Sequence, residues 1–369
     1  MLSLLVLGLL PASALAASCD ACGADATYSE AITTSGSYQK RTITATGCPN
    51  HYSYCVGKGS DGVPGCGTGS GEGTKSEAKT QSHSIEIPAS PVIATSTKSV
   101  ACTANTIAIA LNGVSIYSGW VGGTCDLLDV TSSAAEWTSF DYCSGHSTGG
   151  PNGGDYHYHF PPSCLIDQAN STNPTSDGHS PQVGWSFDGF PIYGPLGPGG
   201  NTMSFTANGC TGDYCLDECS GQEKEISGLD NFKYRYYMTG AVSDLYTLPG
   251  TPMPAATDYP FTIKCYKGCT WSELSGGDSK CTGGSTGVTG SYSAAATTGY
   301  ATKYLSSASG AASMLCGASP SASPSPSPSV APSPSPSVSP SPSPSVSPSP
   351  SPSVSPSPSP SVSPSPSPS

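Results

Sequence analysis

The hydrophobic and polar positions alternate along several short stretches of the chain, which is typical of β-strands. SHSIEIPA (82–89) alternates, TIAIALNGVSIY (106–117) is apolar around an Asn-Gly turn, and VGWSFDGFPIYG (183–194) is apolar around an Asp-Gly turn. Both dipeptides favour hairpins because they tolerate positive φ. FKYRYYMTG (232–240) and YPFTIKCYKGC (259–269) predict further strands. With no clean helical period beyond about ten residues, the pattern predicts a mainly β, antiparallel domain with long loops.

The two hairpin stretches also resemble each other. Aligned on their turns, LNGVSIYSG and FDGFPIYGP share Asn or Asp, then Gly, an apolar residue, any residue, Ile and Tyr. This pattern fits an internal duplication, with one similar unit in each half of the domain. It also fits two independent hairpins, which the small number of matching positions slightly favours.

The charge balance limits the classes of partner. The chain carries 13 Lys and Arg against 25 Asp and Glu, a formal net charge of −12, and only 10% of its residues are charged. Nucleic-acid binding needs a basic surface to neutralise phosphates, so this composition argues against it.

The N-terminal stretch MLSLLVLGLLPASALAASC has an apolar run followed by a proline and small residues. It predicts a signal peptide over residues 1–16, cleaved after Ala16 or Ala17. No other stretch approaches the roughly 18 apolar residues of a membrane span, so we expect a secreted, extracellular protein without a transmembrane segment. The sixteen cysteines fit an oxidising compartment and predict a disulfide-rich fold whose connectivity the sequence does not determine.

The last residues, 319–369, repeat the unit PSPSPSVS. Proline fixes φ and lacks an N–H donor, so this segment is predicted to be a disordered or polyproline II tail. It resembles the Ser-Pro modules of hydroxyproline-rich glycoproteins in plant and algal walls, which implies contact with cell-wall or matrix glycans. An unmodified spacer is the alternative.

Composition therefore divides the chain into a signal peptide (1–16), a β domain (17–269), a Ser/Gly/Thr-rich linker (270–318) and the tail (319–369). The linker contains Gly-x-Ser-x-Gly around Ser285, the pattern of a nucleophile elbow. It lacks the apolar strand before it and the helix after it that such an elbow needs, so we interpret the match as chance.

Histidines carry the candidate chemistry. Four of the six lie within a short part of the sequence: His146, His157, His159 and His179. Side chains at positions i and i+2 of a strand share a face, so His157 and His159 in DYHYHF project together. Such a pair is a bidentate unit for zinc or copper. His146 and His179 are predicted to complete the site.

Two aspartates, Asp188 and Asp141, are candidates to orient the ligand rings by accepting their second N–H. The alternative to a metal site is a half-exposed strand face whose histidines bond to carboxylates or water. Asn170 begins the only Asn-x-Ser/Thr sequon. It predicts an N-glycan on a surface loop between the two histidine segments.

DYHYHFPPSCL, preceded by FDYCSGH and followed by HSPQVGWSFDGFPIYG, resembles the YHYH family. Four further segments fit its pattern: RTITATGCPNH, IALNGVSIY, CLDECSG and YPFTIKCYKG. The resemblance spans residues 41–269. The chain departs from the family in having Thr46 in place of Asn and Cys48 in place of an apolar residue, and we expect Cys48 to pair with Cys55.

The resemblance implies a secreted or cell-surface protein of undetermined activity, and it supports joint action of the four histidines. Three functions stay open. The first is extracellular metal binding, and the second is a metalloenzyme, a hydrolase or an oxidase, with an open metal position. The third is a non-catalytic wall or glycan-binding module that stacks sugars on Trp120, Trp185 and Tyr193, although such aromatics are more often core.

Overall fold

A computed structural model describes the β domain and part of the segment after it. The described residues are 22, 26–50, 57–58, 64–65, 78–103, 106–119, 143–147, 154–172, 175–240 and 261–289. All of them lie in the first of the two units into which the chain divides, Met1–Ser321. The predicted signal peptide, most of the predicted linker and the Ser-Pro tail lie outside these residues.

The described part is mainly β, as predicted, with eighteen strands and three α-helices. The strands are β1 (Tyr28–Ser35), β2 (Tyr38–Ala45), β3 (Gly57–Lys58), β4 (Pro64–Gly65), β5 (His83–Pro88), β6 (Val92–Ser99), β7 (Thr106–Ala110), β8 (Ser115–Tyr117), β9 (Gly145–Ser147), β10 (Tyr156–Tyr158), β11 (Gln182–Ser186), β12 (Pro191–Tyr193), β13 (Ser204–Phe205), β14 (Cys215–Leu216), β15 (Gly221–Glu223), β16 (Tyr234–Tyr237), β17 (Cys265–Gly268) and β18 (Ser285–Thr286). The helices are α1 (Ser163–Thr172), α2 (Trp271–Gly276) and α3 (Ser279–Thr282), with short 3-10 turns at Pro198–Gly200 and Thr206–Asn208.

An eight-stranded sheet forms the centre of the described fold, in the order β15-β16-β12-β11-β7-β8-β10-β9. Two three-stranded sheets, β1-β2-β5 and β17-β6-β18, accompany it. Most strand pairs are antiparallel, as expected. The pairs β8–β10, β12–β16 and β13–β14 are parallel, because in each case a longer connection, and not a tight turn, joins the two strands.

The central sheet has two matching halves. The hairpins β7–β8 and β11–β12, which contain the similar sequences, lie side by side and pair antiparallel through β7 and β11. Outside each hairpin comes a parallel strand, β10 or β16, and then an antiparallel one, β9 or β15. The sheet therefore reads the same from either edge, which supports internal duplication over two independent hairpins.

The register repeats along with the topology. Tyr158 lies opposite Ile116 in the first half, and Tyr236 lies opposite Ile192 in the second. These two isoleucines occupy the same place in the repeated hairpin pattern. Corresponding residues of the two halves thus have corresponding neighbours.

A second repeated segment, Cys-Ser-Gly at 143–145 and 219–221, begins the two outer strands. Its serines both have left-handed backbones, with φ of 74° and 71°. A Cβ on either glycine would clash with the ring of a tyrosine on the neighbouring strand, Tyr156 or Tyr234. Both segments therefore share an unusual backbone and a close ring contact, although the sequence analysis did not detect this repeat.

A buried polar cluster joins the sheet β1-β2-β5 to the central sheet. Arg41 is fully buried, pairs with Glu30, and places its guanidinium 4.0 Å from the centre of the Trp185 ring. Glu30 also accepts a hydrogen bond from Trp185 Nε1 at 3.0 Å. The charges are compensated within the cluster, as burial requires.

Five disulfides join described cysteines: Cys22–Cys48, Cys143–Cys164, Cys210–Cys215, Cys219–Cys265 and Cys269–Cys281. The prediction that Cys48 pairs with Cys55 is wrong, because the partner of Cys48 is Cys22. Cys22 is distant in sequence, and chain folding brings its Cα to 5.3 Å from that of Cys48. Separation along the chain was therefore a poor guide to pairing.

The folded part continues beyond Cys269, into the segment predicted as linker. Helices α2 and α3 follow, Cys281 is bonded back to Cys269, and β18 pairs with β6. Ser285 begins β18 and follows a helix, which is not the strand–turn–helix arrangement of a nucleophile elbow. The interpretation of that pattern as chance agrees with this geometry.

Helix α1 occupies the segment between the two histidine stretches where a loop was expected. Asn170 lies near its C-terminal end and is exposed. Exposure suits the predicted N-glycan, which stays a prediction. Within the described ranges, the helices are too short and too polar to traverse a lipid bilayer.

Candidate metal centre

Three histidines converge in the first half of the central sheet. The group consists of His146, His157 and His159, whose donor atoms all lie within 4.8 Å of one another. Nε2 of His157 lies 3.0 Å from Nε2 of His146 and 3.1 Å from Nε2 of His159. Two nitrogens that bind one ion at about 2.0–2.1 Å lie at most about 4.2 Å apart. The measured separations are therefore short enough for these nitrogens to bind the same metal ion.

Strand pairing explains the convergence. His146 on β9 lies directly opposite His157 on β10, and side chains of directly opposed residues are neighbours. His159 follows two positions after His157 and shares its face. All three are nearly inaccessible, with 8%, 3% and 1% of their surfaces exposed.

Main-chain carbonyls orient two of the three rings. Nδ1 of His157 lies 3.0 Å from the carbonyl oxygen of Asp155, and Nδ1 of His159 lies 2.7 Å from that of Ser118. A carbonyl only accepts hydrogen bonds, so each Nδ1 carries the hydrogen and donates. In the neutral rings, Nε2 therefore presents a lone pair towards the other histidines, as a metal ligand must.

Burial also keeps the His159 ring neutral. It lowers the pKa of His159 to about 4, a change that the hydrogen bond to Ser118 only partly opposes. The His159 ring is therefore uncharged at neutral pH, which is the form that binds a metal ion.

Tyr117 and Asp155 form the wall behind His157. The Tyr117 ring stacks on the imidazole of His157, with centroids 3.9 Å apart and planes at 18°. Its hydroxyl donates to Oδ2 of Asp155 at 3.2 Å, and Oδ1 of Asp155 lies 3.5 Å from Nε2 of His83. Burial, with the nearby Asp155 carboxylate, raises the pKa of Tyr117 to about 12, so the phenol stays protonated.

Sequence reasoning did not select Tyr117 as a site residue. Its signal was present: Tyr117 is the last residue of the repeated hairpin pattern. Ser118 left no signal, because its contribution is a main-chain carbonyl that any residue could supply.

The fourth predicted ligand, His179, does not join this group. Its Nε2 lies 2.9 Å from the Tyr237 hydroxyl and its Nδ1 lies 2.7 Å from the Ser180 carbonyl oxygen. Burial lowers its pKa. His179 precedes β11 and lies in the second half of the sheet, so nearness in sequence did not place it beside His157.

Asp188, one of the two predicted orienting aspartates, does not contact the histidine triad through any of its hydrogen bonds described below. Asp188 is fully buried and accepts hydrogen bonds from Ser186, from Tyr236 at 2.6 Å and from the Gly268 N–H at 2.8 Å. These partners tie it to the second half and to β17. Burial raises its pKa, and the three donors oppose that change. Asp141 lies outside the described residues.

The second half has no histidine at the places that correspond to the triad. Gln222, Arg235 and Tyr237 stand there, as the shared register shows. The guanidinium of Arg235 is fully buried and forms a bidentate pair with Asp230, at 3.1 Å from Nε and 2.8 Å from Nη2. Tyr193 also donates to Asp230, at 2.9 Å. An internal ion pair therefore occupies the second half at the places where the first half has its three histidines.

Two of the three aromatic residues considered for sugar stacking are core residues. Trp185 and Tyr193 are each only 1% exposed, which confirms the core interpretation for both. Trp120 lies outside the described residues. The glycan-stacking hypothesis therefore has no exposed platform at these two positions.

Comparisons with known proteins give one family. Residues 84–200 match the family model described as YHYH protein, a range that includes the whole histidine triad and both hairpins of the central sheet. No curated protein and no solved structure gives a significant match. The resemblance found in the sequence is therefore confirmed over residues 84–200, which form a segment similar to the YHYH family.

Proposed function

We propose that this chain is a secreted YHYH-domain protein that binds one transition-metal ion, copper or zinc, through Nε2 of His146, His157 and His159. The observation that carries the proposal is the orientation of two rings. His157 and His159 each commit Nδ1 to a main-chain carbonyl. Their Nε2 atoms nevertheless face each other at 3.1 Å.

Two nitrogen lone pairs at this distance repel each other unless a cation lies between them. A shared proton would join only two of the nitrogens. A metal ion satisfies all three, because His146 presents its own Nε2 3.0 Å from that of His157. Imidazole nitrogen suits copper and zinc, which leaves the choice between these two ions to experiment.

An extracellular location is supported by the five disulfides among the described cysteines and by the predicted signal peptide. Attachment to a cell wall or matrix through the Ser-Pro tail is part of the proposal and rests on composition. A three-histidine set also leaves a coordination position open. A metalloenzyme, either a hydrolase or an oxidase, would need such an open position, and it is the alternative function. Our proposal is limited to metal binding.

Metal content tests the proposal. The full chain, purified without chelators or a histidine tag, is analysed by mass spectrometry before and after incubation with Cu(II) or Zn(II). We expect one equivalent of metal in the wild type and none in His157→Ala/His159→Ala. A single His146→Gln variant, on the outermost strand, should also lose metal with the least damage to the fold.

His179→Ala is the matched control, since it removes a buried histidine outside the triad and should keep the full equivalent. Circular dichroism of each variant reports whether it folds. The proposal is overturned if the wild type neither contains nor takes up copper or zinc, or if a folded triad variant retains the metal.

A further inference from the structure

We propose that Tyr117 is a positioning residue of the metal site: it fixes the His157 ring by stacking on it and by holding Asp155, whose carbonyl binds the same ring. This inference rests on the proposed function. It assigns a role to a residue that is not itself one of the proposed metal ligands and that acts through His157.

The stack comes from the strand arrangement. β8 and β10 are parallel, with His157 opposite Ser115. Tyr117 is two residues further along β8 than Ser115 and shares its face. Its ring covers His157 nearly face to face at 3.9 Å and meets His159 edge-on at 5.7 Å. One side chain therefore contacts two of the three ligand rings.

Asp155 supplies the second restraint. Its main-chain oxygen accepts from Nδ1 of His157 at 3.0 Å, and its carboxylate accepts from the Tyr117 hydroxyl at 3.2 Å. The side-chain bond fixes the residue whose main-chain oxygen sets the direction of the imidazole. Stacking fixes the plane of that ring, and the carbonyl bond fixes its rotation within the plane.

Both restraints bear on binding, because a ligand ring that is free to turn loses entropy when a metal fixes it. Groups that orient a metal-ligating histidine typically contribute 10- to 100-fold to metal affinity. Loss of the restraint should therefore weaken binding and change the ligand geometry, even though no ligand is removed.

The second half of the sheet provides a matched control. Tyr193 corresponds to Tyr117 in the repeated hairpin and also donates to a carboxylate, that of Asp230, at 2.9 Å. Its surroundings contain Arg235 in the place of His157. Tyr193→Phe therefore removes an equivalent tyrosine–aspartate hydrogen bond without touching the triad.

The experiment compares Tyr117→Leu, Tyr117→Phe and Tyr193→Phe in the full chain. Three quantities are measured: Cu(II) affinity by competition with a chelator of known affinity, the electron paramagnetic resonance spectrum of bound Cu(II), and the tautomer of His157 by ¹H–¹⁵N NMR of the metal-free protein. Thermal unfolding reports the general loss of stability in each variant.

We expect Tyr117→Leu to weaken Cu(II) binding about 10- to 100-fold, to change the Cu(II) spectrum and to mix the His157 tautomers. Tyr117→Phe keeps the stack, so its affinity should fall between those of the wild type and Tyr117→Leu. Tyr193→Phe should lower the unfolding temperature but leave the affinity, the spectrum and the tautomer unchanged.

The role of Tyr117 is overturned if Tyr117→Leu binds Cu(II) with wild-type affinity and spectrum, or if Tyr193→Phe weakens binding equally. These outcomes leave the metal site itself intact. A wild-type protein that takes up neither Cu(II) nor Zn(II) contradicts the proposed function instead, and the role of Tyr117 falls with it.

Discussion

Asn112 donates a hydrogen bond from Nδ2 to the hydroxyl of Tyr158, at 3.0 Å. The corresponding pair in the second half is Asp188 and Tyr236, in which the tyrosine hydroxyl donates to the carboxylate at 2.6 Å. Each pair ties the turn of a hairpin to the strand beside it. The two halves thus keep one contact in common while its chemistry differs, with an amide in one half and a carboxyl in the other.

This difference predicts that removing the tyrosine hydroxyl lowers the free energy of unfolding by different amounts in the two halves. Tyr236→Phe removes a donor to the buried carboxyl of Asp188 and an acceptor of the Lys267 N–H, which lies 2.7 Å away. We expect it to lower the free energy of unfolding by about 1–3 kcal/mol, because two hydrogen bonds worth about 0.5–1.5 kcal/mol each are lost. Tyr158→Phe, which affects a neutral amide, should cost about 0.5–1.5 kcal/mol.

Urea unfolding of the metal-free wild type and the two variants measures both values. Metal is left out because Tyr158 lies between two of the proposed ligands. An equal loss in the two variants would contradict the distinction between the halves.

The Cys143–Cys164 disulfide joins the segment before β9 to α1, close in sequence to His146. Replacing both cysteines with serine should lower the free energy of unfolding by about 2–5 kcal/mol. It should also weaken metal binding, because His146 loses the anchor of its strand. Replacing Cys210 and Cys215, which lie outside the central sheet, should leave metal affinity unchanged.

Calorimetric titration of the four proteins formed by combining these two pairs of replacements measures the affinities. The prediction fails if loss of the Cys210–Cys215 bond weakens metal binding as much as loss of the Cys143–Cys164 bond.

Glu273 predicts a pH dependence in the segment after the β domain. Burial alone would raise its pKa, but hydrogen bonds from Lys280, Thr270 and Lys98 prevail and lower it to about 2, from 4.5. A carboxyl group whose pKa is lower in the folded chain than in the unfolded chain stabilises the fold at pH values above its unfolded pKa. This stabilisation is lost as the pH falls from about 4.5 to about 2.

Glu273→Gln should therefore destabilise the fold at pH 7. The loss should be about 1 kcal/mol or less, because solvent screens the ion pairs of Glu273 with Lys280 and Lys98. The difference in stability from the wild type should shrink towards pH 2.5. Urea unfolding at both pH values measures the difference. Glu225→Gln, at an exposed position, is the control. A Glu273→Gln difference that stays constant between the two pH values would contradict the assignment.

Patterns in the sequence predicted those parts of the fold that depend on residues close together along the chain. Alternation and the two turn dipeptides located the hairpins, and the two-residue spacing placed His157 and His159 on one face. His146 joined them through strand pairing, which the clustering of histidines in sequence did not reveal, because the same clustering also selected His179.

Features that depend on distant contacts were not predictable in this way. His179 lies close in sequence to the triad, but it precedes β11 and bonds to Tyr237 on β16. The partner of Cys48 is 26 positions away. The repeated Cys-Ser-Gly segments carried a usable signal, since aligning them would have separated the two halves and assigned His179 to the second.

Anomalous diffraction at the copper and zinc absorption edges, from crystals of the metal-loaded full chain, tests the central claim most directly. We predict a single anomalous peak bonded to Nε2 of His146, His157 and His159, at about 2.0–2.1 Å from each nitrogen, with no peak at His179. A metal-loaded crystal with no peak at the triad, or with the ion bound elsewhere, would contradict the account.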